Sequence, residues 1–268
     1  MASIICFSSD FGLGDTWVGV CHAVMHEICP DAFVVDLGHS VPAFDVRAGA
    51  VLAAQGAYQL PNAVHLVVVD PGVGGERGDI CIVSAAGTRL VGPDNGVLVP
   101  AALRVGGIDA VYALRQDAPD RAAPHPTFHG RDVLAPTAAA LACGTHPAEL
   151  GEPVPAESLA PAPFGAAYTE GDYLVGEVLG ADRFGSLRTS ITSDDVARHG
   201  LSVPSLEITL GHVRLTLPYG RTFGDVEPGD LIALVDSSGW LTLAENQGSA
   251  LERFGVEPGT HVRVRPTG

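Results

Sequence analysis

The stretch VVVDPGVGGER, residues 67–77, joins the end of an apolar strand to a turn and an arginine. The β-branched run at 64–69 predicts a buried strand, because such side chains pack well on a pleated sheet. Asp70, Pro71 and Gly72 then predict a turn. A carboxylate at this point is either a turn former or a reactive group, and Arg77 follows closely enough to return to it. The stretch therefore predicts a strand of a sheet with a candidate site at its end.

Strand and helix signals alternate on both sides of this strand. Apolar runs predict strands at 4–8, 33–37, 80–83, 88–91 and 110–114, and helical spacing predicts helices at 17–28, 46–57 and 131–143. Asp15 and Asp45 are candidate helix N-caps, and Gly144 is a candidate helix stop. Such alternation is typical of a largely parallel sheet with helices on both faces. Residues 1–150 are therefore predicted to form an N-terminal Rossmann-like α/β domain with a mostly parallel sheet.

The sequence changes in character after residue 150. Residues 151–168 are rich in proline and alanine without periodicity, which predicts a semi-rigid linker. Short strand patterns then lie between turn signals, among them Glu-Pro-Gly turns at 227–229 and 257–259. Residues 169–268 are therefore predicted to form a smaller, all-β, barrel-like domain. Its predicted strands are 173–179, 206–210, 213–217, 231–235, 240–244 and 261–264.

Composition narrows the class of protein. The formal charge is −16 and all 15 basic residues are arginine, which argues against nucleic-acid binding. No apolar run approaches the roughly 18–20 residues of a membrane span, and the N-terminus lacks the basic region of a signal peptide. The five cysteines are odd in number and form no CxxC motif, so they are predicted to be reduced, buried thiols of a cytoplasmic protein: Cys6, Cys21, Cys29, Cys81 and Cys143.

Several polar side chains follow predicted strand ends or open the last helix of the first domain, where ligands bind in open α/β sheets. In one interpretation they ligate a divalent metal, since carboxylate and imidazole suit such ions. In another the site is metal-free, Arg77 holds Asp70 ionised, and His129 positions or deprotonates a water. The spacing does not choose between them. The candidate metal ligands are Asp10, Asp36, His39, Asp70 and His129.

The sequence resembles the S-adenosyl-L-methionine hydrolase family, also called the SAM hydroxide adenosyltransferases. The resemblance rests on SSDFGLGDTWVG, CPDAFVVDLGHSVPAFDVRAGA, HLVVVDPGVGGER, LVGPDNGVL and TFHGRD in the first predicted domain. It continues in ADRFGSLRTSI at 181–191 and ALVDSSGWLTLAENQGSA at 233–250. The motifs occur in order and cover most of both predicted domains. The family is related to fluorinating and chlorinating enzymes that attack the same carbon.

The resemblance implies a reaction in which water or hydroxide attacks ribose C5′ of S-adenosylmethionine, expels methionine and leaves adenosine. It implies no cofactor and no metal, with Asp70, Arg77 and His129 around the attacking water. The halogenating relatives carry tyrosine in place of Asp70 and serine in place of Gly130. At both positions this sequence follows the hydrolase pattern, which disfavours halogenation.

The resemblance also implies a set of substrate-binding residues. Asp10 matches the acceptor of the ribose hydroxyls, Asp182 matches the partner of the methionine ammonium, and Phe184 is expected against adenine. Serines stand at 186 and 190, where the family usually has asparagine, and Ser238 replaces an arginine of the halogenases. The implied substrate-binding residues are Asp10, Asp182, Phe184, Ser186, Ser237, Ser238 and Asn246.

The resemblance further implies a homotrimer whose sites lie between the N-terminal domain of one subunit and the C-terminal domain of the next. Two other functions stay open at this point. The cluster of aspartates and histidines also fits a divalent-metal hydrolase of nucleotides or phosphoesters. The serines at 186 and 190 also fit a non-catalytic sensor of S-adenosylmethionine or adenosine.

Overall fold

The structure, a computed structural model, describes residues 3–116 and 123–267 of the chain. Residues 1, 2, 117–122 and 268 belong to the two predicted domains and lie outside the described residues. The chain divides into two compact units, one ending at Pro163 and the other beginning at Phe164. Each unit is described by itself.

The N-terminal unit is built on a seven-stranded sheet. Its strands are β1 (Ile4–Ser9), β2 (Phe33–Gly38), β3 (Val64–Val68), β4 (Asp79–Ser84), β5 (Arg89–Pro93), β6 (Ile108–Leu114) and β7 (Gly151–Val154). They lie in the order β2-β1-β3-β5-β4-β6-β7. The first four strands in this order are parallel, and the other three pairings are antiparallel. The antiparallel part begins at β4 and β5 because their short connection permits a hairpin but not a parallel crossover.

Helices cover this sheet at α1 (Trp17–Ile28), α2 (Val46–Gln59), α3 (Val99–Arg104), α4 (Ala135–Ala142) and α5 (Pro147–Leu150). Asp45 caps α2 as predicted, since its side chain accepts a hydrogen bond from the Ala48 N–H at 2.9 Å. Asp15 does not cap α1, which follows Thr16 without a side-chain cap. A π-helical turn, Gly130–Leu134, leads directly into α4. None of the described helices is long and apolar enough to cross a membrane.

The sequence expectation for residues 151–168 differs from the structure at its start. Residues 151–154 form β7, which pairs with β6 at the edge of the sheet and extends the N-terminal unit. Pro153 is tolerated there because an edge strand leaves one side of its backbone unpaired. A four-residue strand that contains proline shows no alternation of apolar and polar residues. The composition of this segment therefore predicted a linker instead of a strand.

The C-terminal unit contains eight described strands, seven of which form a closed barrel. Its strands are β8 (Tyr168–Glu170), β9 (Tyr173–Ala181), β10 (Leu187–Thr192), β11 (Ser205–Leu210), β12 (Val213–Gly220), β13 (Leu231–Val235), β14 (Trp240–Glu245) and β15 (His261–Pro266). Pairing of β10 with β9 closes the barrel, and β8 adds to β9 from outside the closed ring. Two short helices, α6 (Ser193–Arg198) and α7 (Ala250–Phe254), follow β10 and β14. The predicted α/β fold followed by an all-β barrel is confirmed.

The cysteines correct one expectation from the sequence. Cys29, after α1, and Cys143, after α4, form a disulfide, so the prediction that all five thiols are reduced is wrong for this pair. Their Cα atoms lie 5.7 Å apart, within the usual range for a disulfide. The pair is separated by 114 residues and becomes adjacent only when the two helices pack together, which spacing in the sequence does not reveal.

The remaining three thiols are expected to be unreactive in the folded protein. Cys6, Cys21 and Cys81 are buried, and burial raises their pKa values to about 11, 12 and 12, so the reactive thiolate is scarce at neutral pH. Titration with a chromogenic disulfide reagent should find none of these thiols in native protein. It should find three thiols in unreduced, unfolded protein and five after reduction. Five thiols without reduction would contradict the disulfide.

Candidate active site

Two of the candidate carboxylates follow the carboxyl ends of the neighbouring strands β1 and β3, on the same side of the sheet's strand ends. The strands are parallel neighbours, with Ser9 opposite Val68. Asp10 follows β1 directly, and its backbone N–H donates to the Val68 carbonyl at 3.4 Å. Asp70 lies two residues beyond the end of β3. Asp10 and Asp70 therefore emerge from neighbouring strand ends, as parallel pairing predicts.

Asp70 forms a two-pronged ion pair with Arg77. Nε of Arg77 donates to Oδ1 of Asp70 at 3.0 Å, and Nη2 donates to Oδ2. The third nitrogen of the guanidinium, Nη1, donates to Oδ1 of Asp79 at 2.5 Å. The three side chains are almost fully enclosed, with 6%, 10% and 0% of the Asp70, Arg77 and Asp79 side chains exposed. One guanidinium thus joins two buried carboxylates.

Asp79 also binds His129. Its Oδ2 accepts a hydrogen bond from Nδ1 of His129 at 2.7 Å and another from Nε2 of Gln116 at 3.0 Å. The structure therefore brings Asp70, Arg77 and His129 into one connected network, in which Asp79 is the link between the arginine and the histidine. Sequence reasoning missed Asp79 because it opens the apolar strand DICIVS. A carboxylate two residues after Arg77, at the head of a buried strand, was the signal available.

His129 lies at the start of the π-helical turn that precedes α4. Asp132, inside this turn, accepts a hydrogen bond from the His125 N–H at 2.8 Å and so fastens the segment before His129. Arg131 pairs with Asp132 at 2.6 Å, and its hydrogen bonds lower the pKa of that carboxyl group below its ordinary value. Insertions of this kind in helices often occur at functional sites. The turn therefore fixes the position of the His129 backbone, from which the imidazole projects.

Gly74 allows the loop after β3 to approach the segment that carries His129. Its φ is +74°, and a Cβ atom there would lie 2.2 Å from the Pro126 carbonyl oxygen. Any side chain would therefore push the loop that carries Arg77 away from residues 126–129.

We expect Gly74→Ala to lower the free energy of unfolding by about 1–3 kcal/mol, because alanine is strained at positive φ and the backbone must also move. Denaturant unfolding measures the change. Gly78→Ala is the matched control, because a Cβ at Gly78 meets no described atom within 4 Å. Equal effects of the two substitutions would show that the close approach at Gly74 is unimportant.

A second polar cluster lies between α1 and the ends of β1 and β2. Oδ1 of Asp36 is 2.8 Å from Nε2 of His22 and 2.9 Å from Nε2 of His39, and Nδ1 of His39 bonds the Ser9 hydroxyl at 2.7 Å. Burial acts to raise the pKa of Asp36, but the hydrogen bonds from His39 and His22 outweigh it and leave the pKa lowered. The carboxylate form of Asp36 is therefore favoured by its two imidazole neighbours.

The structure distributes the five candidate metal ligands among separate groups. Asp36 and His39 lie together with His22, and among the described residues these three form the one group of such ligands close enough to share an ion. Asp70 and His129 instead belong to the network that contains Arg77, whose positive charge opposes a cation there. Oδ2 of Asp10 accepts the Phe44 N–H at 2.9 Å.

The turn between β9 and β10 carries three of the predicted substrate-binding residues. Oδ1 of Asp182 accepts hydrogen bonds from the N–H groups of Phe184 and Ser186, at 2.9 and 3.0 Å, and so shapes the turn. Phe184 is 77% exposed, whereas Ser186 is buried. The Phe184 ring therefore faces solvent in this unit and is not part of the barrel core.

The turn between β13 and β14 carries Ser237 and Ser238. Asp236 organises it by accepting the Ser238 N–H at 2.8 Å. Arg188, on β10, donates from Nε to Asp236 at 3.0 Å, and its Nη2 lies 3.9 Å from Asp182. Arg188 therefore connects the two turns, a role that the sequence did not indicate.

Asn246 and Ser190 lie elsewhere on the barrel. Asn246 follows β14, and its side-chain amide donates to the Val226 carbonyl at 2.7 Å. The Ser190 hydroxyl accepts the Glu177 N–H at 3.1 Å across the paired strands β9 and β10. Both side chains are buried and make contacts that support the barrel.

Comparison with known proteins gives consistent matches over nearly the whole chain. Residues 5–151 match the SAM hydroxide adenosyltransferase N-terminal domain, and residues 176–263 match the corresponding C-terminal domain. The (R)-S-adenosyl-L-methionine hydrolase of Salinispora arenicola (strain CNS-205) is 41% identical, with 97% of each chain covered. A fluorinase of Actinopolyspora mzabensis is 31% identical, with 97% of this chain and 96% of that protein covered.

A solved structure shares the fold over the same extent. The crystal structure of an uncharacterized conserved protein from Thermotoga maritima matches with a TM-score of 0.87 and 30% sequence identity. The match covers 98% of this chain and all of that one.

Proposed function

The chain belongs to the SAM hydroxide adenosyltransferase family, and from that premise we propose how its residues hydrolyse S-adenosyl-L-methionine to adenosine and L-methionine. The observation that carries the proposal is the network at the end of β3, where Arg77 holds Asp70 and Asp79 holds His129. In this network a carboxylate, a guanidinium and an imidazole lie beyond the carboxyl end of β3, and ligands of such folds bind beyond the carboxyl ends of the parallel strands.

In the proposed reaction, Asp70 and His129 accept hydrogen bonds from the attacking water, and its proton passes to one of these two side chains as the oxygen attacks. Water needs this help because its pKa of about 15.7 makes it a poor nucleophile. Arg77 keeps Asp70 in one orientation through its two parallel hydrogen bonds, and its charge stabilises developing hydroxide. The oxygen forms a bond to ribose C5′ while the bond from C5′ to sulfur breaks.

Departure of the leaving group needs little catalytic help from the protein. Methionine departs as a neutral thioether, so no general acid is required. Hydroxide and the sulfonium lose their opposite charges as they react, so an enclosed, poorly hydrated site favours the transition state. The low exposure of the Asp70, Arg77 and His129 side chains supports such a site. Alignment of water, C5′ and sulfur supplies the remaining acceleration.

The proposal assigns the substrate's other groups to residues of both units. The carboxylate of Asp10 accepts the ribose hydroxyls, and Asp182 binds the methionine ammonium. The exposed ring of Phe184 stacks on adenine beside Ser186, and Ser237 and Ser238 hold the amino-acid end. Asn246 is a further proposed substrate-binding residue, to which no part of the substrate is assigned. The exposure of Phe184 and the two ordered turns around Arg188 support these assignments.

A product assay tests the function. Because the relative from Salinispora arenicola is named for the (R) substrate, we extend that designation to this chain, and both sulfonium epimers should be supplied separately. We expect adenosine and methionine in equal amounts, faster from the (R) epimer, with no loss of rate in EDTA. Activity that EDTA removes and added metal restores would favour the metal hydrolase. A ligand that binds tightly and is not consumed would favour the sensor.

We also propose that the protein is a homotrimer with active sites between subunits. Light scattering should then give three times the mass of the chain. Subunit mixing gives a sharper test, because Asp70→Ala and Asp182→Ala affect residues of different units. If each site uses both units from different subunits, co-refolded mixtures of the two variants should recover part of the activity. A monomer, or mixtures that stay inactive, would contradict this arrangement.

The cytoplasmic location predicted from the sequence remains part of the proposal. The disulfide between Cys29 and Cys143 weighs against it, since disulfides are rare in reducing compartments. Alkylation of the protein at the moment of cell lysis, before any oxidation, reports whether the bond exists in the cell.

A further inference from the structure

We infer that Asp79 is a positioning residue of the active site, which fixes the imidazole of His129 and the guanidinium of Arg77 at once. The inference rests on the proposed function, because the catalytic roles of His129 and Arg77 are proposed there. Asp79 itself acts on neither water nor substrate. It acts through the two side chains that it binds.

The contacts of Asp79 are divided between its two oxygens. Oδ1 accepts Nη1 of Arg77 at 2.5 Å, while Oδ2 accepts Nδ1 of His129 at 2.7 Å and Nε2 of Gln116 at 3.0 Å. None of its side chain is exposed. A carboxylate taken fully out of water is tolerated only where charges and hydrogen bonds replace its hydration. All of these partners lie on the site's own network, which ties the burial of Asp79 to the site.

The backbone of Asp79 belongs to the sheet, whereas the backbones of Arg77 and His129 do not. Asp79 is the first residue of β4 and lies opposite Pro93 on β5. The neighbouring Gly78 carbonyl accepts the Asp94 N–H at 2.8 Å, so the strand pairing continues one residue further. Arg77 lies on the loop before β4, and His129 precedes a helix on a distant part of the sequence. Asp79 is therefore the sheet-anchored member of the network.

The hydrogen bond to Asp79 selects one form of the His129 ring. A carboxylate only accepts hydrogen bonds, so Nδ1 of His129 must carry the hydrogen. In the neutral ring this leaves Nε2 with its lone pair, ready to accept a proton from water. The contact from Asp79 to Nη1 likewise leaves Nε and Nη2 of Arg77 for Asp70 and prevents rotation of the guanidinium.

The isosteric substitution Asp79→Asn distinguishes positioning from simple filling of space. An asparagine has one oxygen and one NH2 group, so it cannot accept from both Arg77 and His129. If its NH2 faces Arg77, two donors oppose each other. If its NH2 faces His129, the ring must change to the form with hydrogen on Nε2, which no longer accepts a proton from water. An aspartate-to-asparagine change of this kind in a protease triad lowers kcat by about 10⁴.

The experiment measures kcat and KM for Asp79→Asn, His129→Ala and the double variant, together with ¹⁵N NMR of the histidine ring. We expect Asp79→Asn to lower kcat roughly 10²–10⁴-fold with little change in KM. We expect the double variant to lose much less than the product of the two single losses, because the effect through His129 is counted in both single variants and only the effect through Arg77 remains to be added. The ¹⁵N signals should show hydrogen on Nδ1 in the wild type and its loss from Nδ1 in the variant.

Asp195→Asn is the control for loss of a buried carboxylate. Asp195 binds Thr192 and Arg198 within the C-terminal unit, so its loss should lower stability without a selective fall in kcat. Full additivity of Asp79→Asn and His129→Ala, or unchanged kcat in Asp79→Asn, would overturn the inference. So would hydrogen on Nε2 rather than Nδ1 in the wild type, a result that needs no folded variant. Failure of the proposed function is separate: wild-type protein would then release no adenosine, while the ¹⁵N measurement would still test Asp79.

Discussion

Asp70→Ala and His129→Ala are each expected to lower kcat by about 10²–10⁴-fold while the Kd for S-adenosylmethionine changes little. Proton transfer by a positioned side chain contributes acceleration of this size, and it acts only in the transition state. Neither residue is proposed to hold the adenosine or methionine groups, so ground-state binding should survive. Both side chains lie in the network around Arg77 and Asp79.

Kinetic and calorimetric measurements on the same samples test this expectation. Rates of adenosine release give kcat, and titration of each variant with substrate gives Kd. Asp10→Asn is the matched comparison. Because Asp10 is proposed to bind the ribose hydroxyls, loss of its carboxylate should raise KM more than it lowers kcat. If Asp70→Ala or His129→Ala weakened binding as much as turnover, these residues would be binding residues and the proposed mechanism would be wrong.

Arg77→Gln is expected to produce the largest loss of stability, about 3–5 kcal/mol. The guanidinium lies between the carboxylates of Asp70 and Asp79, and all three side chains are nearly enclosed. Removal of one member of a buried ion pair leaves an uncompensated charge, which costs more than the pair contributes. Here the loss would leave two carboxylates to repel each other. Denaturant unfolding monitored by fluorescence measures the change.

The ion pair between Arg115 and Glu152 provides the control. It also joins an arginine to a carboxylate, here that of a glutamate, but 47% and 68% of the two side chains are exposed. Exposed pairs contribute roughly 0–1 kcal/mol, so Arg115→Gln should change the free energy of unfolding by no more than about that amount. Comparable losses for Arg77→Gln and Arg115→Gln would mean that Arg77 does not balance a buried charge.

The sequence predicted those features that depend on local pattern. The β-branched run before Asp70 predicted β3, and the short turn after it predicted the return of Arg77 to the carboxylate. Asp45 predicted the start of α2, because its side chain caps the first turn. The spacing of turns after residue 168 predicted six of the seven barrel strands within a few residues of their observed ends, and it missed β10.

Features that depend on contacts between distant segments were not predicted. Asp79 reads as the start of an apolar strand, and its meeting with His129, 50 residues away, arises only when α4 packs on the sheet. The disulfide between Cys29 and Cys143 has the same origin. Arg188 lies in a segment where no strand was predicted, and in the barrel it reaches two turns. Such links come from packing, which hydrophobic periodicity in one segment does not encode.

The origin of the oxygen in the product tests the central claim most directly. If a water held by Asp70 and His129 attacks ribose C5′, a single turnover in ¹⁸O-labelled water should place the heavy oxygen at the 5′-hydroxyl of adenosine and leave methionine unlabelled. Mass spectrometry of the two products reads both outcomes from one sample. Adenosine without the label, or label in methionine instead, would contradict attack by water at C5′.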